Sequence, residues 1–210
     1  VPGKLIEGGL LQALIIKDRP SAQTHNWSAM PDVALNKPYE TAWVDVGNPD
    51  PDDNNLRLTG AKLGAATFAR GEGLCDAGDR FAFTCTEGGH AHVGQVFTYK
   101  PSPFEGTTGE QDEPGELTLI AESSRDSLLQ NADNLVMAPW GDLVVCEDTA
   151  GHCGLVGIRP DGTQYALADN TYSNSELAGA CFSPDGKKLF VNIQHPGMTL
   201  AITGPWPTPG

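Results

Sequence analysis

Arg70 and Glu72 stand two positions apart between glycines in FARGEGL, residues 68–74. The stretch reads as an extended strand, in which positions i and i+2 point to the same face. A guanidinium and a carboxylate on one wet face neutralise each other and contribute little to stability. Aimed together at a third group, they do more: the carboxylate holds a cation and the planar guanidinium holds an anion. Further oxygen donors recur downstream. Asn134 lies in NADN, Glu147 and Asp148 close VVCED, and Glu176 opens ELAG. Carboxylates and amides converging on one point repel one another unless a cation sits among them, and such donors select hard cations such as calcium, or iron or manganese in a mixed site.

Each of these residues also has a plain structural reading. Arg70 and Glu72 make an ordinary ion pair, Asn134 an Asx turn, Glu176 a loop carboxylate, and Glu147 with Asp148 a solvated strand end. His90, His92, His152 and His195 fall in turns and read as surface residues. No GxSxG motif supports a serine nucleophile. The five cysteines, 75, 85, 146, 153 and 181, form no CxxC pair and read as small buried residues within strands.

The elements that would carry the donors repeat. ARGEGL leads through DAGDR to RFAFTCTEGG and GQVFTYKP; NADNLVMAP turns at WGD into LVVCED, then GLVGIRPDG and TQYALAD; SELAGACFSP turns at DGKK into LFVNIQHPG and MTLAITG. Pro-Asp-Gly at 160–162 and 184–186 is a turn in which proline presets φ and glycine accepts a positive one. Short strands joined by such turns, in units of about 40 residues, are the signature of propeller blades. The repeat register places Glu72, Asn134 and Glu176 at equivalent positions of the innermost strands, facing one axis. The expected fold is all-β, with three blades, or four if Leu5 to Val46 adds another. Propellers close with about four to eight blades, so residues 1–210 are expected to be the C-terminal part of one propeller domain, completed by another segment or subunit. NPDPDDNN at 48–55 and PSPFEGTTGEQDEPGE at 101–116 read as solvated loops.

Composition agrees. The 210 residues carry 13 Lys plus Arg against 27 Asp plus Glu, a formal charge of −14 that repels phosphate backbones and argues against a nucleic-acid partner. With 25 Gly and 16 Pro, turns are frequent and helix is expected to be scarce. No apolar run approaches the roughly 18 to 20 residues of a membrane span. The opening residues hold no basic n-region followed by an apolar h-region, so no secretory signal is expected within them, although a processed chain would show none.

The phrases TFARGEGL, FTCTEGG with GQVFTYKP, LTLIAES, ADNLVMAPWGDLVVCED and ELAGACFSPDGKKLFVNIQHPGMTLAITGPW resemble the C-terminal half of PhoX-type alkaline phosphatases. The opening GKLIEGGLLQALIIKDRPSAQTHNW is similar to the segment preceding that half. The resemblance implies a six-bladed propeller that hydrolyses phosphomonoesters with calcium and iron, in the periplasm or outside the cell. By resemblance Arg70 meets the substrate phosphate and Glu72 the metals, and the phrase holding Glu147 and Asp148 is expected to contribute a ligand. The family's preceding half, with its cysteine ligand to iron, is not among these residues, so activity is expected to require that half as part of the same chain or as a partner. Two other readings compete: a calcium-dependent lactonase or esterase propeller, disfavoured by the arginine before Glu72, and a non-catalytic propeller scaffold.

Overall fold

A computed structural model describes residues 5–207. Thirteen strands are arranged in chain order: β1 Gln12–Ile16, β2 Pro38–Asp45, then helix α1 Leu56–Lys62, β3 Gly71–Asp76, β4 Phe81–Cys85, β5 Gln95–Lys100, β6 Glu116–Glu122, β7 Ala132–Met137, β8 Leu143–Glu147, β9 Gly154–Ile158, β10 Gln164–Asp169, β11 Leu177–Phe182, β12 Lys188–Ile193 and β13 Met198–Thr203. All pairings between these strands are antiparallel. The fold is all-β, as expected, and no helix among the described residues is long and apolar enough to cross a membrane.

Three sheets form: β1-β2-β6-β5-β4-β3, β10-β9-β8-β7 and β11-β12-β13. They correspond to the three repeated segments, and strand alternation decides how they stack. Along β8, Leu143 and Val145 point to the first sheet, where they meet Ala82, Val96 and Ala121. Val144 and Cys146 point the other way and meet Leu177, Leu189, Val191 and Ile193 of the third sheet. A strand buried on both faces is apolar along its length, which explains the unbroken burial of β9 and of β8 up to Cys146, with Glu147 buried at its end. The opening strands of the three repeats touch in series, β7 contacting both β3 and β11. This is an arc of three propeller blades.

The segment from Leu5 to Val46 is not a fourth blade. Its strands β1 and β2 extend the outer edge of the first sheet, with β2 pairing to β6. Ile16, Ala22, Val33 and Tyr39 then cover part of that sheet's second face, against Phe97, Leu117 and Leu119. The rest of that face is aromatic and open, with Leu74 68% and Phe81 42% exposed. The 48–55 loop is solvated apart from local turns such as Asp50 N donating to Asn48 Oδ1. The 101–116 loop folds back through Glu105, whose carboxylate accepts from Tyr99 OH, Trp43 Nε1 and Ser102 N.

Pro-Asp-Gly forms the expected turns, with Gly162 at φ 84 and Gly186 at φ 69. The opening strand of each repeat, β3, β7 and β11, also carries an irregularity that alternation does not reveal. Gly71 pairs Cys85 and Leu74 pairs Phe83; Ala132 pairs Glu147 and Leu135 pairs Val145; Ala178 pairs Asn192 and Cys181 pairs Phe190. In each case three steps on the first strand oppose two on its partner, the pattern of a β-bulge.

Candidate metal and phosphate site

The bulges set the true equivalence of the repeats. Matching Gly71, Ala132 and Ala178 by their pairing makes Glu72 equivalent to Asp133 and Gly179, one residue away from the expected Asn134. A shift of one residue turns a strand side chain to the other face. Asn134 accordingly faces the third sheet, where its Oδ1 accepts from Ala180 N at 2.7 Å. Asp133 takes the inward place.

Arg70 lies just before β3 at φ 56, a left-handed conformation uncommon outside glycine. Its backbone is therefore not the plain strand that the i, i+2 reading assumes. The turn still brings the pair together: Nε donates to Glu72 Oε1 at 3.0 Å, and Nη2 to Asp148 Oδ2 at 2.9 Å. Nη1 stands 3.9 Å from Glu87 Oε1, beyond hydrogen-bonding reach. The guanidinium thus joins the first and second sheets, and the hydrogen bond it donates to Asp148 is the main cause holding its pKa above the ordinary value.

Asp133, Asp148 and Glu176 converge, one ligand oxygen from each lying within 4.8 Å of the others. They come from three elements: β7, the residue following β8, and the residue preceding β11. Glu176 Oε1 also accepts a hydrogen bond from Gln194 Nε2. The electrostatics are unfavourable for three carboxylates. The Glu176 carboxyl is pushed up to about 7, first by its hydrogen bond with Asp148, then by burial and by the charges of Asp148 and Asp133. Burial, then Glu72 and Asp148, raise Asp133 as well, against the opposing pull of Arg70.

Close approach of the sheets makes this geometry possible. A Cβ on Gly73 would lie 2.5 Å from Asp133 O and 2.7 Å from Leu135 Cδ2, so only glycine lets β3 and β7 meet there. Gly73 N donates to Thr84 Oγ1 at 2.8 Å, and that hydroxyl donates to Asp133 O. The backbone of Asp133 is thereby anchored to the first sheet.

Of the sequence candidates, Arg70, Glu72, Asp148 and Glu176 gather here. Glu147 does not: it is 7% exposed, and its carboxylate accepts from Gln130 N at 2.7 Å and Gly154 N at 3.0 Å. Asp133 and Glu87 complete the surroundings. Asp133 escaped the sequence reading because the bulge hides its register.

An all-carboxylate donor set, with like charges crowded together, suits a hard cation. It offers no thiolate for a cysteine-held iron: burial pushes the Cys85 and Cys146 thiols up to about 12. Cys153 is likewise buried, Cys75 half-buried, and Cys181 exposed on the third sheet.

Residues 2–197 match the family model of alkaline phosphatase PhoX. No curated protein matches the sequence. Among solved structures, a streptogramin B lyase is similar at 13% identity and a TM-score of 0.37, over 66% of this chain and 42% of that one. The chain therefore spans less than half the length of that structure.

Proposed function

This chain belongs to the alkaline phosphatase PhoX family, and from that premise we propose that it supplies one side of a metal-dependent phosphomonoester hydrolase centre. The observation carrying this reading is the convergence of Asp133, Asp148 and Glu176 beside the Arg70 guanidinium. Those three carboxylates, with Glu72 alongside, would hold the cation, calcium by their chemistry and iron by family resemblance. A metal ion bound there supplies Lewis acidity toward phosphoryl oxygens and acidifies a bound water.

The chain's own residues do the positioning. Glu72 and Asp148 fix Nε and Nη2 of Arg70, which orients the planar fork. Nη1, the arm without a hydrogen bond to a carboxylate, presents its N–H groups to a phosphoryl oxygen. Arginine suits this role because it stays charged throughout and binds with defined geometry. Phosphoryl transfer depends mainly on such positioning and charge stabilisation.

A preceding half, in the same polypeptide or as a partner, completes the propeller on the open aromatic face around Leu74, Phe81 and Phe83. This assembly works in the periplasm or outside the cell, on a phosphomonoester.

The test uses the complete protein. It is expected to release phosphate from p-nitrophenyl phosphate at alkaline pH, to contain calcium or iron by elemental analysis, and to stop when chelated. Active protein holding neither metal would overturn the reading.

A further inference from the structure

The geometry points to a leaving-group subsite beside Arg70, built from His25, Trp27 and His92, that accepts the planar ring of a nucleoside or aryl phosphomonoester. This rests on the phosphatase reading above. The Trp27 ring centroid lies 4.2 Å from that of His25 and 4.8 Å from that of His92, the latter pair stacked at 24°. Trp27 remains 41% exposed.

One residue joins this ring stack to the phosphate clamp. Trp27 Nε1 donates to the backbone carbonyl of Glu87 at 2.9 Å, while the Glu87 carboxylate stands 3.9 Å from Arg70 Nη1. A phosphoryl group on Nη1 therefore has the rings within the span of a single glutamate.

The stack is ordered in advance by buried contacts behind it. Asn26, 3% exposed and at φ 55, donates from Nδ2 to Val33 O and to Glu122 Oε2, both at 2.8 Å. Val33 N donates back to Asn26 Oδ1 at 3.3 Å. Gln95 Nε2 donates to Thr24 O at 3.1 Å and to the same Glu122 oxygen at 2.8 Å. From the other side, Gly89 N donates to His25 O and His92 N to Gly89 O, each at 2.9 Å. The indole is held between His25 and His92 and still leaves 41% of its surface open, so its conformational freedom is already spent before a ligand arrives. Rigid aromatic surface of that kind is how proteins bind planar ligands at low entropic cost.

The hydrogen bonds of His25 favour the neutral imidazole, which suits stacking. Its Nδ1 accepts from Trp27 N at 3.3 Å, leaving Nε2–H to donate to Gln23 Oε1 at 2.9 Å. Burial also lowers its pKa. Stacking on aromatic side chains is tolerant of base identity, so a purine, a pyrimidine or a simple aryl ring would all be received.

Two alcohol portions separate this subsite from general phosphate binding. In the complete protein, Trp27→Ala is expected to lower kcat/KM for adenosine 5′-monophosphate about tenfold, mainly through KM. Hydrolysis of glycerol 3-phosphate should stay within about twofold. His92→Asn, chosen because asparagine tolerates the left-handed φ of 58 at that position, should shift the ratio the same way by a smaller factor. Equal losses on both substrates, or no loss on either, would overturn the proposal. Saturation-transfer NMR with free adenosine reads the subsite without any turnover. Transfer is expected with the unmodified protein and should be lost in Trp27→Ala; no transfer to the unmodified protein rejects the subsite. Adenosine binding in a protein that hydrolyses no phosphomonoester would instead reject the phosphatase reading.

Discussion

The two ends of the second sheet place carboxylates in opposite circumstances. At the β7–β8 turn, Asp142 is 8% exposed, and its Oδ2 accepts from Trp140 Nε1 at 2.9 Å and Tyr165 OH at 2.7 Å, with Arg159 4.6 Å above the Tyr165 ring. Every partner there satisfies the charge. At the far end of β8, Asp148 faces Asp133 and Glu176, and Arg70 is shared among several acidic groups. Burial with full hydrogen bonding secures a fold, whereas like charges gathered under a shared cation leave room for a ligand. Glu147 and Asp148, adjacent in sequence, fall on opposite sides of this divide.

The sharpest way to break the comparison is at Arg70. Arg70→Ala in the complete protein is expected to lower kcat/KM for phosphomonoesters by about 10² to 10³, the scale of losing one preorganised stabiliser of developing charge. Bound metal, measured by elemental analysis, should stay nearly constant; loss of metal instead would make Arg70 a structural brace like the donors around Asp142.

Proton release comes next. Because the Glu176 carboxyl is raised from its ordinary 4.5 to about 7, the folded state binds that proton more tightly than the unfolded chain. Without a cation, stability therefore falls as pH rises from about 4.5 to about 7. A cation competes with the proton, so calcium affinity should rise about tenfold between pH 6 and pH 8 and level off above about pH 7. Calorimetric titration at both values checks this, and an affinity independent of pH would contradict it.

The smallest effect belongs to the satisfied end. Tyr165→Phe removes one donor from Asp142 and is expected to cost about 1 kcal/mol in urea unfolding. Calcium affinity and turnover should not change; a change in either would erase the distinction between the two ends.

Much of the fold is legible in the sequence because its causes are local. Val-, Leu- and Ile-rich runs bounded by Pro-Asp-Gly become strands and turns, and the three repeated segments become three sheets. Arg70 with Glu72 is legible too, since a guanidinium and a carboxylate so close in the chain meet by either a strand or a turn. Asp133 rather than Asn134 lies beside Asp148 and Glu176 for a physical reason: a bulge adds a residue that alternation cannot count. Glu147 misleads because its partners, Gln130 N and Gly154 N, are backbone groups with no side-chain signature. The place of Leu5 to Val46 on the first sheet's edge depends on pairing between β2 and β6, far apart in the chain.

The repeated bulge has a consequence for how such a site changes over time. The residue inside it stays out of the core in all three sheets: Glu72 and Gly179 are exposed and Asp133 is half-buried. Glu72, Asp133 and Gly179 occupy that socket in the three sheets: two are charged, one is blank, and the third sheet contributes its carboxylate from Glu176 instead. Substitution at Glu72 or Asp133 changes the charge that faces the acidic cluster, whereas Gly179, at φ 65 and with a Cβ that would lie 2.6 Å from Asn192 Nδ2, admits only glycine without strain. The scaffold thus sets chemistry and folding on different residues of the same strand.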